Sequence, residues 1–204
     1  SEDLEIRGAG EILGKEQSGN MQAIGFGLYM DMLERATKAI KAGKTPNLTT
    51  ALDLVSDINI HASALIPDEY LGDVHERLLF YKRIGNADEM SELTDLRTEL
   101  IDRFGVLPTQ AVNLFDVHKL RILAKPLAIS KIDVSETAMI LEFKPDTPVD
   151  AMAIIKLVQS QDGYRMNGAT GLKRTFAAVM GLKERIGVVS ELLQDLAKQS
   201  NLSN

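Results

Sequence analysis

Apolar residues recur every three or four positions along several stretches of this chain, and every second position along others. The first spacing is typical of helices with one buried face, and the second of strands. The predicted helices are 28–43, a short run from Pro67 to Tyr81, 90–104 with Asp88 as its cap, 109–125, 149–160 and 180–198. The predicted strands are 57–62, 127–134, 138–143, 163–167 and 171–177. The pattern therefore predicts an α+β fold in which helices outweigh strands, with a small mixed or antiparallel sheet packed against amphipathic helices.

The beginning of the chain differs from the rest in its glycine content. Residues 1–27 hold six of the fifteen glycines, which favours turns and close approaches of the backbone. Residues 47–53 are polar and interrupt the periodic pattern, so we place a domain boundary there. The predicted organisation is a glycine-rich loop and its following helix at 1–46, and a second domain at 47–204.

Composition and charge exclude several classes of protein. The absence of cysteine excludes disulfides, thiolate metal sites and a cysteine nucleophile, and a reducing cytoplasm is the simplest location. No apolar run approaches the ~18 residues of a membrane helix, and no leader-like segment begins at Ser1, so we expect no membrane contact. The net charge of −6 argues against a stand-alone nucleic-acid-binding protein, because such proteins carry basic side chains that neutralise phosphates. Acid is concentrated in residues 68–104, which carry ten acidic and five basic side chains.

Two sequences come close to known catalytic motifs without completing them. Residues Gly10–Lys15 resemble a phosphate-binding loop, but the spacing is one residue short and Glu16 replaces the Ser or Thr that binds magnesium. His75 begins like the helical zinc motif, but Leu79 stands where the second histidine is required. We therefore expect no catalytic, cofactor-binding or metal-binding residue in this chain, and no enzyme activity of its own.

An acidic stripe is the most informative feature of the predicted helix 90–104. Its members are Glu92, Asp95, Glu99 and Asp102, which lie three, four and three residues apart and border the apolar face. One interpretation is a solvated helix face with local pairing to Arg97 and Arg103. The other is a recognition edge for an arginine-bearing partner, because carboxylates beside apolar surface can be desolvated on binding.

Arg7 and Gln17 bracket the glycine-rich loop. They could tie the loop together, or they could follow a phosphate backbone from a flexible element.

Three stretches resemble one family. The sequence DLEIRGAGEILGKEQSGNMQAIGFGLYMDMLERA at 3–36 resembles the motif that follows the helicase core in bacterial transcription-repair coupling factors, and its first half is shared with the translocase RecG. The sequences FYKRI at 80–84 and ELIDRFGVLP at 99–108 resemble the C-terminal domain of the same family and not RecG. The resemblance runs through essentially the whole chain and implies a C-terminal fragment of a larger protein.

The resemblance also implies functions for individual residues. Arg7 and Gln17 match residues that couple ATP hydrolysis to movement along double-stranded DNA, and Glu99 and Asp102 match carboxylates that contact a UvrB-like N-terminal module of the same protein. The resemblance thus selects two members of the acidic stripe, and from the stripe itself we expect the interface to extend to Glu92, Asp95 and Arg103. The fragment would be an autoinhibitory regulatory domain of an ATP-dependent DNA translocase that displaces stalled RNA polymerase and recruits nucleotide excision repair through UvrA. ATP and magnesium would bind the parent motor and not this fragment. A purely structural cap of the motor and an autonomous nucleic-acid-binding domain are the alternatives.

Overall fold

The computed structural model describes residues 57–202. The predicted glycine-rich loop, its following helix, the boundary at 47–53, Arg7 and Gln17 lie outside the described residues. The helices are α1 (Val74–Asn86), α2 (Met90–Phe104), α3 (Thr109–Ala124), α4 (Ala151–Gln159) and α5 (Leu182–Gln199), with a 3₁₀ turn at Lys125–Leu127. The strands are β1 (Asp57–Asn59), β2 (Ile129–Val134), β3 (Ala138–Phe143), β4 (Tyr164–Asn167) and β5 (Gly171–Thr175). These elements confirm the predicted α+β fold and the excess of helix over strand.

The described residues form two compact units, a division that the sequence pattern did not predict. The helical unit comprises residues 63–118, and the sheet unit comprises residues 57–62 together with 119–202. Each unit has buried apolar side chains of its own, including Leu100 in the first and Leu141 in the second.

In the helical unit, the start of α1 differs from the prediction. The backbone N–H groups of Tyr70 and Leu71 both donate to the carbonyl oxygen of Pro67, which closes a turn instead of opening a helix. The helix begins after Asp73, whose side chain accepts a hydrogen bond from the N–H of Glu76 at 2.9 Å. An N-cap carboxylate of this kind satisfies one of the donors left free at a helix start.

The second helix follows its predicted pattern closely, apart from its cap. Leu93, Leu96 and Leu100 are buried on one face, as their spacing indicates. Asp88 is not the N-cap: Glu89 occupies that position and makes no capping hydrogen bond through its side chain. The helix ends at Gly105, whose φ of 91° suits glycine and disfavours other residues.

The sheet unit contains a five-stranded mixed sheet with the order β1-β2-β3-β5-β4. Strand β1 pairs with β2 in parallel, and the other neighbours are antiparallel. Ile58, Ile132, Leu141 and Leu172 are cross-strand neighbours and form a buried apolar row. α5 contacts β2, and α4 contacts β4. The sheet therefore agrees with the prediction of a small mixed sheet packed with helices.

Two side-chain polar atoms in α5 are buried without a hydrogen-bond partner, the Nε of Arg185 and the hydroxyl of Ser190. The hydroxyl of Ser190 is inaccessible and has no hydrogen bond, although the side chain lies on the buried face of the helix. We expect Ser190→Ala to raise the free energy of unfolding by about 1 kcal/mol, because it removes an unsatisfied hydroxyl and improves helix propensity. Chemical denaturation of the wild type and variant measures this change. Gln194→Ala, at an exposed position of the same helix, is the control and should change stability by less than about 0.5 kcal/mol. A destabilised Ser190→Ala variant would contradict the burial argument.

Candidate functional site

The acidic stripe lies on α2, and its members differ in their surroundings. At about 100° per residue, Glu92 and Glu99 lie nearer the buried face of the helix, and Asp95 and Asp102 lie further out. Asp95 and Asp102 are exposed, and neither forms an ion pair with a described residue. Glu92 accepts a hydrogen bond from the backbone N–H of Asp88 at 3.3 Å. The outer pair of carboxylates is therefore available to a partner.

Glu99 is the member of the stripe that is held within the helical unit. Its Oε2 lies 2.7 Å from Nη2 of Arg83 on α1, and its Oε1 lies 3.9 Å from Nη1 of Arg103. The hydrogen bond from Arg83 is the main reason that the pKa of Glu99 is lowered, and the charges of Arg83 and Arg103 act in the same direction, against partial burial. Glu99 is therefore ionised at neutral pH, but its negative charge is already paired with Arg83 on α1.

Two arginines and two phenylalanines meet where α1 and α2 pack together. The guanidinium of Arg83 lies 5.3 Å from the ring centre of Phe80, and that of Arg103 lies 5.6 Å from the same ring and 4.9 Å from Phe104. Arg103 also contacts Glu76 through Nη2 and Oε1 at 2.6 Å. Cation–π contacts of this kind contribute ~0.5–1 kcal/mol each at exposed sites and hold the guanidinium planes in place.

The C-terminal end of α2 is held by Tyr70. Its hydroxyl donates a hydrogen bond to the carbonyl oxygen of Gly105 at 2.7 Å and also lies 3.0 Å from that of Leu100. A tyrosine hydroxyl is ordinarily protonated at neutral pH, and burial raises the pKa of Tyr70 further, so the hydroxyl acts as a donor. Because Asp102 lies between these two carbonyl groups in the sequence, the turn that carries it is fixed in position.

Asp102 occupies an unfavourable place in its helix. It lies in the last turn of α2, where the helix dipole is negative and disfavours a carboxylate. The cost is ~0.3–1 kcal/mol, and no described residue offsets it with an ion pair. A residue that opposes local stability without local compensation is typical of a functional position.

The predicted site residues that the structure describes lie on α2, and they differ in their partners. Glu92, Asp95, Glu99 and Asp102 all lie on α2, but only Glu92 and Glu99 border its buried face as we predicted for the whole stripe. Asp95 and Asp102 lie further towards the opposite side of the helix. Arg103 pairs locally with Glu76 and approaches Glu99, whereas Arg97 forms no ion pair with a described residue.

Sequence reasoning missed Arg83, which is the strongest partner of Glu99. One available signal was the FYKRI stretch, in which Phe80 and Arg83 lie three residues apart and therefore on one helix face. That spacing does not show which helix packs against α1, so the pair could not be assigned from the sequence.

The lowered pKa of Glu99 gives a direct test of the Arg83 contact. The carboxyl pKa measured by NMR should lie below the ordinary glutamate value, and Arg83→Gln should return it towards that value. Because the folded-state pKa is the lower one, the pair stabilises the fold at neutral pH, and this stabilisation is lost as the pH falls through the lowered pKa. The contribution of such an exposed pair is small, ~0.2–1 kcal/mol. An unchanged Glu99 pKa in Arg83→Gln would contradict this contact.

Residues 57–202 contain neither a candidate metal cluster nor a helix suited to a membrane. No group of three or more histidine or carboxylate side chains in that range could hold a metal ion. None of its helices is both long enough and apolar enough to cross a membrane.

The fold and the sequence together define the class of protein. The family model described as the TRCF domain matches residues 60–154. The solved structure described as the C-terminal domain of transcription-repair coupling factor matches with a TM-score of 0.59 and 20% identity, covering 71% of this chain and 94% of that one. At that identity the match shows the fold alone.

The sequence relatives are more specific. The transcription-repair-coupling factor of Haemophilus influenzae is 43% identical over 96% of this chain, and that of Escherichia coli is 42% identical over 97%. The protein of the same name from Myxococcus xanthus is 36% identical over 97% of this chain. The chain belongs to the transcription-repair-coupling factor family. It spans 17% of the length of the first two relatives, so it corresponds to one segment of a larger multidomain protein.

Proposed function

We propose that this chain is the C-terminal regulatory segment of a transcription-repair coupling factor, and that its acidic stripe binds arginines on the UvrB-like N-terminal module of the same protein. The observation that carries the proposal is Asp102, an exposed carboxylate without an ion pair among the described residues, fixed at a helix end that it destabilises. Family membership supports the part of the proposal that places this chain in a larger protein, because the relatives are transcription-repair-coupling factors several times longer than this chain.

The proposed contact is a set of charge-assisted hydrogen bonds. Asp102 and Asp95 accept hydrogen bonds from guanidinium groups, which bind carboxylates in a two-point geometry. Glu99 adds a third negative charge, which it shares between Arg83 and the incoming arginine. Val106, with 89% of its surface exposed, follows the end of α2 two residues after Phe104, so docking at this end of the helix would also cover apolar surface and exclude water. The contact holds the protein in a repressed state in which the surface that recruits UvrA is hidden.

The remaining parts of the proposal concern the whole protein. The parent protein is a cytoplasmic ATP-dependent translocase on double-stranded DNA that displaces stalled RNA polymerase, and its ATP and magnesium sites lie in the motor. Arg7 and Gln17 couple ATP hydrolysis to movement, as the resemblance of their motif implies. The residues of this chain contribute regulation and coupling, not the chemistry of hydrolysis.

Calorimetric titration of this chain with the separately prepared N-terminal module tests the proposed contact. Binding should be measurable at about 50 mM salt and several-fold weaker at about 300 mM, because the carboxylates are exposed before docking. Binding that does not respond to salt would contradict a contact made through charge. No binding at either salt would contradict the proposed partner, provided that both proteins are folded by circular dichroism. Salt-dependent binding of DNA by this chain instead would favour the nucleic-acid-binding alternative.

A further inference from the structure

Strand β4 forms one edge of the sheet and leaves a row of backbone groups unused. Among the described residues it pairs only with β5. The N–H of Thr175 donates to the carbonyl oxygen of Gly163 at 3.0 Å, which fixes the alternation of the antiparallel ladder. The backbone N–H and C=O groups of Arg165 therefore point towards β5. Those of Tyr164 and Met166 point away from the sheet. Neither Tyr164 nor Met166 makes a backbone hydrogen bond to any residue in the range 57–202.

The two faces of the sheet present different chemistry at this edge. Cross-strand neighbours lie on the same face, so Met166 continues the apolar row of Leu172 and Leu141. Arg165 continues the opposite row, which runs through Lys173 and Ile140. An additional strand beside β4 would therefore meet Tyr164 and Met166 on one face and Arg165 on the other. On β5, one strand further in, Arg174 covers the ring of Tyr164 on the first face and Lys173 lies beside Arg165 on the second.

The apolar row is incomplete at β4. Leu172 and Leu141 are 1% and 0% exposed, whereas Met166 is 49% exposed, and no strand within residues 57–202 lies beyond it. Helix α4, which contacts β4, also leaves Met152 and Ile155 exposed. Apolar side chains beside unused backbone donors and acceptors make an edge receptive to pairing. The short length of β4 and the charge of Arg165 restrict that pairing to a partner that complements both.

The cationic row is unsatisfied as well. Arg165 and Lys173 lie directly opposite each other on neighbouring strands, and like charges in this arrangement destabilise a sheet. Neither forms an ion pair with a described residue. A carboxylate placed beside them would remove this repulsion.

We infer that the outer edge of β4 binds an extended segment of another protein in which acidic and apolar residues alternate. The segment would add a strand to the sheet through the backbone groups of Tyr164 and Met166. Its acidic side chains would contact Arg165 directly and approach the ammonium of Lys173 across β4, and its apolar side chains would cover Met166. This site lies in the sheet unit and does not depend on the proposed function of α2.

The same surface is a poor match for single-stranded nucleic acid. Base stacking requires an open aromatic face, and the ring of Tyr164 is already covered by the guanidinium of Arg174 at 4.9 Å. An apolar row beside two cations matches a strand with alternating side chains better than a continuous phosphate backbone.

A synthetic peptide tests the inference. The probe is a peptide of about seven residues that alternates Glu and Val, and its control is a peptide of the same composition with the two residue types in separate blocks. The alternating peptide should bind more tightly than the block peptide and should slow hydrogen exchange of the Tyr164 and Met166 amides. Arg165→Gln/Lys173→Gln should weaken its binding about tenfold or more. Lys131→Gln is the matched control and should leave binding unchanged. Lys131 lies on the same face of the sheet as Arg165 and Lys173, but on β2, away from the β4 edge.

Several outcomes would overturn the inference. These are equal binding of the two peptides, binding that leaves the exchange of both amides unchanged, and binding that the double variant retains. Protection of the same amides at high protein concentration without peptide would identify a second copy of the chain as the occupant instead. Displacement of the peptide by single-stranded DNA would identify a nucleic-acid site. Because the variants leave α2 unchanged, failure here leaves the proposed function intact, and failure of the calorimetric titration leaves this site intact.

Discussion

Asp102→Asn is expected to weaken binding of this chain to the UvrB-like N-terminal module about 30-fold. Removing one partner of a charge pair that is desolvated on docking costs ~2 kcal/mol or more, and ~1.4 kcal/mol corresponds to a tenfold change in affinity. The same substitution should raise the free energy of unfolding by a few tenths of a kcal/mol, because it removes a negative charge from the last turn of α2. Calorimetric titration and chemical denaturation measure the two effects.

The opposite signs of these effects separate a binding role from a structural one. Glu99→Gln should weaken binding less than Asp102→Asn, because Glu99 shares its charge with Arg83 before docking. Glu191→Gln, at an exposed position of α5, is the matched control and should change neither quantity. If Asp102→Asn lowered stability and left binding unchanged, α2 would be a structural element and the proposed contact would be wrong.

Arg185→Ala is expected to lower the free energy of unfolding by about 3 kcal/mol, more than any other substitution proposed above. Arg185 is only 5% exposed, and its guanidinium donates to the carbonyl oxygens of Ile60 at 2.8 Å and Met180 at 3.3 Å. It therefore joins the residue after β1 to the start of α5 within the sheet unit. Alanine would leave a cavity and two carbonyl groups without their donor.

Arg185→Met separates the packing contribution from the hydrogen bonds. Methionine fills much of the same volume and also removes a buried charge that has no ion-pair partner among the described residues. Its loss in the free energy of unfolding should be less than half of that in Arg185→Ala. Equal losses in the two variants would mean that the carbonyl contacts, and not packing, account for the whole effect. A loss below about 1 kcal/mol in Arg185→Ala would contradict the importance of this contact.

Local patterns predicted the elements well because each depends on nearby residues. The spacing of Leu93, Leu96 and Leu100 determines the buried face of α2 wherever that helix packs, and the glycine at 105 ends it through its own backbone geometry. The cap of α2 was predicted wrongly, since Asp88 and Glu89 are adjacent and only the final path of the chain selects between them.

The candidate site was predictable only as far as it depends on residues that are close in the sequence. Spacing alone placed four carboxylates on one stripe of α2. Which of them is engaged depends on α1, because Arg83 reaches Glu99 only when the two helices pack together. The division into a helical unit and a sheet unit likewise depends on contacts between residues that are distant in sequence.

The most direct test of the central claim is the affinity for UvrA of the full-length factor and of its Asp95→Asn/Asp102→Asn variant. If the acidic stripe holds the repressed state, losing the contact increases the fraction of molecules with the UvrA-binding surface open, and the apparent affinity rises by the same factor. We expect a rise of about tenfold or more, limited by the fraction already open in the wild type. Unchanged affinity for UvrA in a folded variant would contradict the account.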